Sequence, residues 1–239
     1  MNDAHECREV LEIRNSYERI AANFNRVRAK PWKECVDFIQ GFNPRSLVLD
    51  VGCGSGRHTL ASVSRGHETI GIDFSENMLK TANVKFRSTK ALPRVFHLVL
   101  AEASHMPFRN NTFDYILYIA TLHNLPSRSL RIGSLREINR ILKTKGKCLI
   151  SVWKRLQFRF LLKVITIYLR KILGMKQDFE VQVPWKVDSS TVPRYFYLYS
   201  EKQIVEDIKA AELNILNFSS VKIGAQLMSD NYFVTVTKY

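Results

Sequence analysis

A continuous apolar run that ends in a glycine-rich turn, between residues 46 and 56, points to the fold class. The run SLVLDVG has the pattern of a strand buried on both faces, as in parallel sheets. In the following GCGSG, Gly52, Gly54 and Gly56 alternate with small residues. Because glycine has no Cβ, such a turn lets the backbone approach a bound molecule closely. Ligands of open parallel sheets lie beyond the carboxyl ends of the strands. The turn therefore predicts a ligand site at the end of this strand.

Strands and helices alternate along the rest of the chain. The strings TIGID, VFHLVLAE, FDYILYIATL and KCLISVW predict four more strands. Helices are predicted for RHTLASVSRG, SENMLKTANVKF and SLREINRILKTKG, the last ending at Gly146, and for residues 8–40 with a break at Lys30-Pro31. The final NYFVTVTKY alternates and predicts an antiparallel strand at an edge. This order predicts one α/β domain of the Rossmann-like kind, with a mostly parallel sheet, helices on both faces and an antiparallel edge.

Positive charge is concentrated in three parts of the sequence. Thirty-six Lys and Arg residues against 22 Asp and Glu give a net charge of +14 over 239 residues. Residues 80–94 contain five bases and no acid, residues 128–147 seven bases and one acid, and residues 154–176 seven bases and no acid. Such clusters favour a polyanionic partner, nucleic acid first and an anionic membrane second, over a merely solvated basic surface.

The remaining composition argues against secretion, membrane insertion and metal binding. No apolar stretch reaches the roughly 18 residues that span a bilayer. The first residues carry acids and bases without the apolar core of a signal peptide. Cys7, Cys35, Cys53 and Cys148 are far apart and show no CxxC spacing. They predict reduced thiols in a cytoplasmic protein without a metal site.

The distance from the glycine turn to the next acidic strand end indicates a nucleotide. Asp73 ends the second predicted strand 21 residues after Gly52, where its carboxylate can accept both ribose hydroxyls. Dinucleotide sites favour G-x-G-x-x-G, whereas the third glycine here comes one position earlier. The string VLDVGCGSG resembles the first motif of the class I S-adenosylmethionine-dependent methyltransferases. LAEASHMPF and FDYILYIATLHNL resemble later motifs of that family, so that the resemblance covers about residues 45–153.

This resemblance implies S-adenosylmethionine as the cofactor and assigns residues to it. Asp50 would hold the glycine turn and orient the methionine end, and Asp73 would bind the ribose. Ala101-Glu102 stands where the family commonly has Ala-Asp beside the adenine. The cofactor-binding residues implied in this way are Asp50, Gly52, Cys53, Gly54, Gly56, Asp73, Phe74, Ala101, Glu102, Ala103 and Ile119.

Two flanking segments resemble a narrower family, the wobble-uridine tRNA methyltransferases. They are SYERIAANFNRVRAKPW, residues 17–32 with the preceding serine, and VPWKVDSSTVPRYFYLYSEKQI, residues 183–204. The family contains the fungal carboxymethyluridine methyltransferase and the methyltransferase domain of the vertebrate AlkB-homologue fusion. The chain departs from the family pattern at two places. It has His123-Asn124 where the family usually has two histidines, and residues 154–176 do not resemble the family segment there.

The narrower resemblance implies that the enzyme esterifies the carboxylate of 5-carboxymethyluridine at the tRNA wobble position. A carboxylate with a pKa near ~4 is ionised at neutral pH and can attack a sulfonium methyl group without a general base. The enzyme then has to orient an anion and exclude water. The implied catalytic residues are Arg28, His123 and Arg194, and the implied substrate-binding residues are Trp32, Asn124, Trp185 and Tyr195. Each also has a structural alternative, as a solvated charge, a strand-end residue or a core aromatic.

The sequence leaves several alternatives open. The single domain divides into a helical lid (1–40), a cofactor-binding core (45–153), a basic amphipathic insert (154–182) and a substrate-side segment with edge strands (183–239). The basic amphipathic pattern of the insert favours a lid helix or a tRNA contact over a membrane contact. The chain could instead methylate a small molecule or lipid, or be a catalytically silent RNA-binding protein. By resemblance alone, a small zinc-binding activator protein paired at a sheet edge is a further partner.

Overall fold

The architecture is described for residues 3–89, 96–175, 178–223 and 229–238 of a computed structural model. The strands within these residues are β1 (Leu47–Val51), β2 (Glu68–Asp73), β3 (Phe96–Leu100), β4 (Phe113–Ile119), β5 (Leu142–Trp153), β6 (Glu180–Val187), β7 (Ser190–Tyr197), β8 (Leu213–Val221) and β9 (Asn231–Lys238). The α-helices are α1 (Asp3–Val27), α2 (Lys33–Gln40), α3 (Arg57–Val63), α4 (Glu76–Ser88), α5 (Arg128–Ile141), α6 (Leu161–Ile172) and α7 (Glu201–Ala210). Two 3₁₀ helices cover Leu122–Asn124 and Phe158–Phe160.

A seven-stranded sheet in the order β3-β2-β1-β4-β5-β9-β8 forms the centre of the fold. The first five strands of this order are parallel, and β9 pairs antiparallel with both β5 and β8. The predicted α/β fold with a mostly parallel sheet and an antiparallel edge is therefore confirmed. The prediction that NYFVTVTKY lies at the edge is wrong, because β8 covers β9. The sequence LNILNFSSV of β8 mixes polar and apolar residues without strict alternation, so its pattern did not locate β8 among the edge strands expected in residues 183–239.

The helix before β5 differs from its predicted bounds. It begins at Arg128, where the Ser127 hydroxyl accepts a hydrogen bond from the Leu130 N–H at 3.1 Å, and it ends at Ile141. Leu142 is already extended and pairs with Phe113 of β4. The prediction that the helix continues to Gly146 is therefore wrong, because pairing with β4 extends β5 back to Leu142.

The N-terminal helix packs against the helix that follows β2. As predicted, the chain breaks at Lys30-Pro31, between α1 and α2. The Glu18 carboxylate on α1 accepts hydrogen bonds from the backbone N–H groups of Glu76 and Asn77, at 2.8 and 2.9 Å. It thereby pairs with the otherwise unsatisfied N–H groups that begin α4. Since α4 follows Asp73 directly, this contact holds α1 across the carboxyl ends of β1 and β2.

A separate hairpin, β6 with β7, lies beside the end of β5 and carries its own aromatic core. Trp153 at the end of β5 stacks on Phe196 of β7, with ring centroids 3.9 Å apart. Val164 and Ile167 of α6 complete this core from outside. The helix predicted in the basic insert is therefore present as α6, although residue 176 of that prediction lies outside the described residues. The division of the domain into four parts stays a prediction.

Candidate active site

The three glycines of the turn after β1 all have positive φ, between 54° and 74°. Two of them are also required by close packing within the protein. A Cβ at Gly52 would lie 2.2 Å from the Thr121 hydroxyl oxygen, and one at Gly56 would lie 2.5 Å from the Phe86 ring. At Gly54 the nearest atom to a Cβ belongs to Phe24, at 3.6 Å. A side chain at Gly54 would therefore occupy the open space beside the turn.

Asp73 ends β2 directly opposite this turn. One of its carboxylate oxygens accepts the Gly54 N–H at 2.8 Å and the other accepts the Ser75 N–H at 2.9 Å. The side chain is buried, and burial raises the pKa of Asp73 to about 6, against the opposing effect of these two hydrogen bonds. Each carboxylate oxygen can accept two hydrogen bonds and uses one here, so both can accept another from a ligand.

Asp50 lies on the protein side of the turn. Its carboxylate accepts a hydrogen bond from the Thr59 hydroxyl at 2.6 Å, which ties the end of β1 to α3. Burial raises the pKa of Asp50 to about 6, and the Thr59 hydrogen bonds oppose the rise. Asp50 is not among the residues that line the cavity described next. This geometry suits a residue that holds the turn, and direct contact with a cofactor stays a prediction.

A cavity opens beyond the carboxyl ends of β1, β2 and β4 and brings most of the sequence-predicted residues together. The predicted cofactor residues that line it are Gly52, Cys53, Gly54, Asp73, Phe74, Ala101, Glu102, Ala103 and Ile119. The predicted catalytic and substrate residues that line it are Arg28, His123, Arg194 and Asn124. Gly56, like Asp50, lies outside the lining. The roles of all these residues stay predictions.

His123 is fully buried, and one of its ring nitrogens has no hydrogen-bond partner in the part of the chain that the structure describes. After β4, Ala120 has a φ of 53° and turns the chain into the 3₁₀ helix that carries His123. The ring Nδ1 accepts the Trp153 N–H at 3.0 Å, so the proton of the neutral ring lies on Nε2. Nε2 has no partner among the described residues. Burial, helped by Arg159 and Arg194, lowers the pKa of His123 to about 3. His123 is therefore a neutral hydrogen-bond donor rather than a base.

Arg194 is a buried cation that has no anionic partner in the described ranges of the chain. Its side chain is 6% exposed, and its guanidinium carbon lies 4.5 Å from the centroid of the Trp185 ring and 5.1 Å from that of Phe196. Among the described residues it forms no ion pair, and its Nε has no hydrogen-bond partner. Burial lowers the pKa of Arg194, and the nearby half-buried Arg28 lowers it further. A buried positive charge of this kind is costly unless an anion joins it.

The other three predicted substrate residues lie outside the cavity lining. Trp185 is buried behind Arg194 and packs on Phe24, with ring centroids 5.4 Å apart. Trp32 begins α2, where the Arg57 guanidinium lies 4.6 Å from its ring centroid. Tyr195 donates its hydroxyl to the Pro126 carbonyl at 3.0 Å, and its own carbonyl accepts the Asn124 amide at 2.9 Å. Tyr195 thus holds the segment that carries Asn124, and direct substrate contact by these three residues stays a prediction.

Several cavity residues were not predicted as site residues from the sequence. Tyr17 of α1 lies against Phe74, with ring centroids 5.9 Å apart. Burial raises the pKa of Tyr17 to about 12, against the effect of Arg194, so the phenol stays protonated. The stacked Trp153 and Phe196 form an apolar wall beside His123. Tyr17 is the second residue of the flanking motif SYERIAAN, which was the available signal. The pairing of Trp153 with Phe196 is a product of the fold.

The second basic cluster is mostly paired within the protein. Arg128 pairs with Asp207 at 2.7 Å and Arg140 with Glu137 at 2.6 Å. Lys143 pairs with Asp114 at 2.8 Å, and Arg131 is buried over the Tyr197 ring. These four basic side chains of residues 128–147 therefore have partners within the protein. Residues 90–94 of the first cluster lie outside the described residues.

Features of other site types are absent from the part of the chain that the structure describes. No group of three or more His, Cys, Asp or Glu side chains there has an arrangement suited to a metal ion. The four cysteines form no disulfide. No helix in the described ranges combines the length and apolar character needed to cross a bilayer.

The glycine turn and Asp73 fit a cofactor that carries a ribose. Gly54 leaves room where a Cβ would intrude, and both Asp73 oxygens retain an acceptor position within a buried site. Phe74 and the Ala101-Glu102-Ala103 segment line the same cavity and can flank a base. The residues present therefore fit S-adenosylmethionine, the cofactor that the sequence resemblance implies.

Comparison with known proteins agrees with this geometry. A family model described as a methyltransferase domain matches residues 49–150. The chain is 33% identical over 141 residues to the tRNA (carboxymethyluridine(34)-5-O)-methyltransferase alkbh8 of Xenopus tropicalis, a match that covers 59% of this chain and 21% of that protein. It is 29% identical over 153 residues to the Saccharomyces cerevisiae enzyme of the same activity, which covers 64% of this chain and 51% of that protein. The matches thus span about a fifth and about half of these relatives.

A solved structure shares the fold. An S-adenosylmethionine-dependent methyltransferase of Methanosarcina mazei superposes with a TM-score of 0.70 over 87% of this chain and 98% of its own. The two sequences are 18% identical, so this likeness concerns the fold alone.

Proposed function

We propose that this chain, which resembles the class I S-adenosylmethionine-dependent methyltransferases and among them the wobble-uridine tRNA methyltransferases, esterifies the carboxylate of 5-carboxymethyluridine at the tRNA wobble position. The observation that carries the proposal is the pairing of Arg194, a buried cation with no ion-pair partner in the described residues, with His123, a neutral donor whose Nε2 is unsatisfied. Both face one cavity with Arg28. A carboxylate satisfies all three groups, whereas an amine or a neutral hydroxyl would leave the charge of Arg194 uncompensated.

The proposed acceptor needs no base, and the chain offers none at His123. S-adenosylmethionine supplies a methyl group bound to a positively charged sulfur. The substrate carboxylate is ionised at neutral pH, so it would accept this methyl group on one oxygen without first losing a proton. His123 donates a hydrogen bond to one carboxylate oxygen, and Arg194 and Arg28 hold the group in place. Because the pKa of His123 is lowered to about 3, the ring keeps its donor proton throughout.

The walls of the cavity limit access of water to the reacting groups. Trp153 and Phe196 close one side with stacked rings, and Tyr17 approaches from α1. Exclusion of water strengthens the electrostatic contacts of Arg194 with the acceptor and prevents competing hydrogen bonds. In this proposal the helix α1 acts as a lid, held to α4 by Glu18.

The proposal is tested with two anticodon stem-loops that differ only at the wobble base. One carries 5-carboxymethyluridine and the other uridine, and both are incubated with the protein and labelled S-adenosylmethionine, followed by nucleoside analysis. We expect the methyl ester on the first RNA and no product on the second. Transfer to small carboxylates or lipids with no RNA product would contradict the proposal. The assay is run with and without a zinc-binding activator, a partner that we also propose from the resemblance.

The affinity for S-adenosylmethionine should fall as the pH drops below about 6. The pKa of Asp73 in the free protein is raised to about 6 by burial. Protonation below that pH removes acceptor capacity from the proposed ribose site, so binding is strongest above it. Calorimetric titrations from acidic to neutral pH, with folding checked at each pH, measure the effect. His123→Gln should keep the same pH dependence, because His123 does not titrate in this range. A pH dependence that vanishes in His123→Gln would contradict the assignment.

A basic cleft beside the cavity supports the tRNA part of the proposal. Residues 26–30 and Arg57 line it and include no acid. Arg28 lies on both the cleft and the cavity. Burial lowers the pKa of Arg57 to about 10, and the positive charge of Arg28 lowers it further. The two guanidinium groups are therefore close enough to repel each other within the cleft. The backbone phosphates of a bound tRNA would neutralise this charge next to the acceptor base.

Replacing Arg26 and Lys30 together by glutamine should flatten the salt dependence of tRNA binding. Each phosphate contact contributes about 0.7 to 0.9 to the slope of log affinity against log salt, so the double variant should lose about 1.4 to 1.8. Fluorescence anisotropy at several salt concentrations measures this slope. Lys202→Gln with Lys209→Gln on α7, which does not line the cavity or the cleft, is the matched control. Equal slopes for both double variants would remove the cleft from the proposed tRNA surface.

A further inference from the structure

The segment of residues 156–175, called here the α6 segment, exposes an unusual amount of apolar surface. It contains ten of the fifteen large hydrophobic side chains that are exposed in the described parts of the chain. Leu162, Ile172 and Leu173 are exposed by 83%, 80% and 78%. Single exposed leucines are common on protein surfaces, but a contiguous group of this kind marks an interaction surface.

The apolar side chains of α6 point in two directions. Val164 and Ile167 are buried against the aromatic core of the β6–β7 hairpin. Successive helical residues are turned by about 100°, so side chains at spacings of three, four and seven share a face. A second group with these spacings lies on an outward arc of about 140°. It consists of Leu161, Leu162, Ile165, Tyr168, Leu169, Ile172 and Leu173, all of them exposed. The hairpin therefore accounts for one apolar face of α6. The broader face points away from the protein except at Tyr168, whose ring centroid lies 5.0 Å from that of Phe179.

Basic residues border this outward face. Lys163 and Arg170 lie beyond one edge of the arc, whereas Lys171 lies on the side of the helix that faces the hairpin, with its ammonium 4.7 Å from the Phe179 ring centroid. The sequence from 154 to 177 contains seven Lys and Arg residues and no Asp or Glu. An exposed apolar face on a helix whose charged residues are all basic is typical of helices that lie in the interface of anionic membranes.

We propose that the α6 segment binds the surface of an anionic lipid bilayer, with α6 parallel to the membrane plane. Lipid acyl chains cover the leucines and isoleucines while the phosphate-bearing headgroups meet the flanking bases. A nucleic-acid backbone would meet the bases but leave the apolar arc in water. A second copy of the chain would bring the same acid-free segment face to face with itself, so charge opposes that contact. A helix of 12 residues is too short to cross the bilayer, which agrees with a position in the interface.

Co-sedimentation of the full chain with vesicles tests this proposal. Vesicles of phosphatidylcholine with about one third phosphatidylserine are compared with pure phosphatidylcholine. We expect binding to the anionic vesicles that weakens with salt, and little binding to the neutral ones. Leu162→Asn with Ile172→Asn should lower the partition coefficient at least about tenfold, since both side chains would lose apolar contact with lipid. Lys163→Gln should lower it about fivefold.

The matched control is Val84→Asn with Leu216→Asn, which replaces two exposed apolar side chains outside the α6 segment. This control should bind vesicles as the parent protein does. Equal binding by the Leu162/Ile172 variant and the parent would overturn the proposal. An absence of vesicle binding by the parent protein would also overturn the proposal. In that case, a loss of self-association in sedimentation equilibrium by the Leu162/Ile172 variant would indicate a second copy of the chain as the occupant, and a loss of tRNA affinity would indicate tRNA. If the Leu162/Ile172 variant still transfers methyl groups in the stem-loop assay, the α6 segment binds membranes independently of the active site.

Discussion

Replacing Arg194 by methionine should lower kcat/KM for the carboxymethyluridine stem-loop by about 100-fold or more. Losing one partner of a buried charge pair costs about 3 kcal/mol, and the proposed pair of Arg194 with the substrate carboxylate is of that kind. The stability of the free protein should change little. Methionine removes the ring contacts of the guanidinium with Trp185 and Phe196, but it also removes a buried charge that has no anionic partner in the described residues. We expect the melting temperature to stay within about 4 °C.

The comparison of activity with stability makes this prediction specific. If Arg194 had only a structural role, the loss of activity would follow the loss of folded protein. Arg109→Met, at an exposed loop position, is the control and should change neither quantity. Arg194→Lys keeps the charge but loses the planar guanidinium, so it should recover only part of the activity. Full activity in Arg194→Met would rule out the proposed acceptor contact.

Replacing Asp73 by alanine should weaken S-adenosylmethionine binding roughly 150-fold, equivalent to about 3 kcal/mol. The variant removes the proposed acceptor of the ribose hydroxyls from a buried site. It also frees the N–H groups of Gly54 and Ser75, which the carboxylate holds at 2.8 and 2.9 Å. Both effects act at the cofactor end of the cavity, so the affinity for S-adenosylmethionine should fall more than the stability of the folded protein. Calorimetric titration measures the affinity, and thermal denaturation measures the folding.

The control for Asp73 lies on the same strand. Glu68 begins β2 and is exposed, so Glu68→Ala should bind the cofactor as the parent protein does. Unchanged affinity in a folded Asp73→Ala variant would refute the ribose assignment. The Gly54→Val variant should also fail to bind S-adenosylmethionine, because the valine side chain would enter the open space beside the turn at a backbone position with positive φ.

The sequence determined the features that depend on local chemistry. The apolar run and glycines around Gly52 predicted a strand and turn, because alternate positive-φ positions at a strand end suit few other residues. Asp73 followed from the length of one strand–helix–strand unit. The serine caps, for example Ser75 on α4, follow from side-chain hydrogen bonding within one turn. Motif resemblance then implied that Arg28, His123 and Arg194 are catalytic residues, and the structure places all three on the lining of one cavity.

Only the tertiary structure decided the features that depend on distant partners. His123 is a donor because the Trp153 N–H, 30 residues away, occupies its Nδ1. Arg194 is buried beside Trp185, and no acid of the described part of the chain pairs with it, which no pattern along one strand can predict. The edge position of β8 came from pairing with β9, which overrode a weak alternation pattern. The apolar side chains of α6 divide into a buried and an outward face because Val164 and Ile167 pack against the β6–β7 hairpin, a contact that the sequence does not show. Periodicity shows that a helix has an apolar face, but burial is a property of the whole fold.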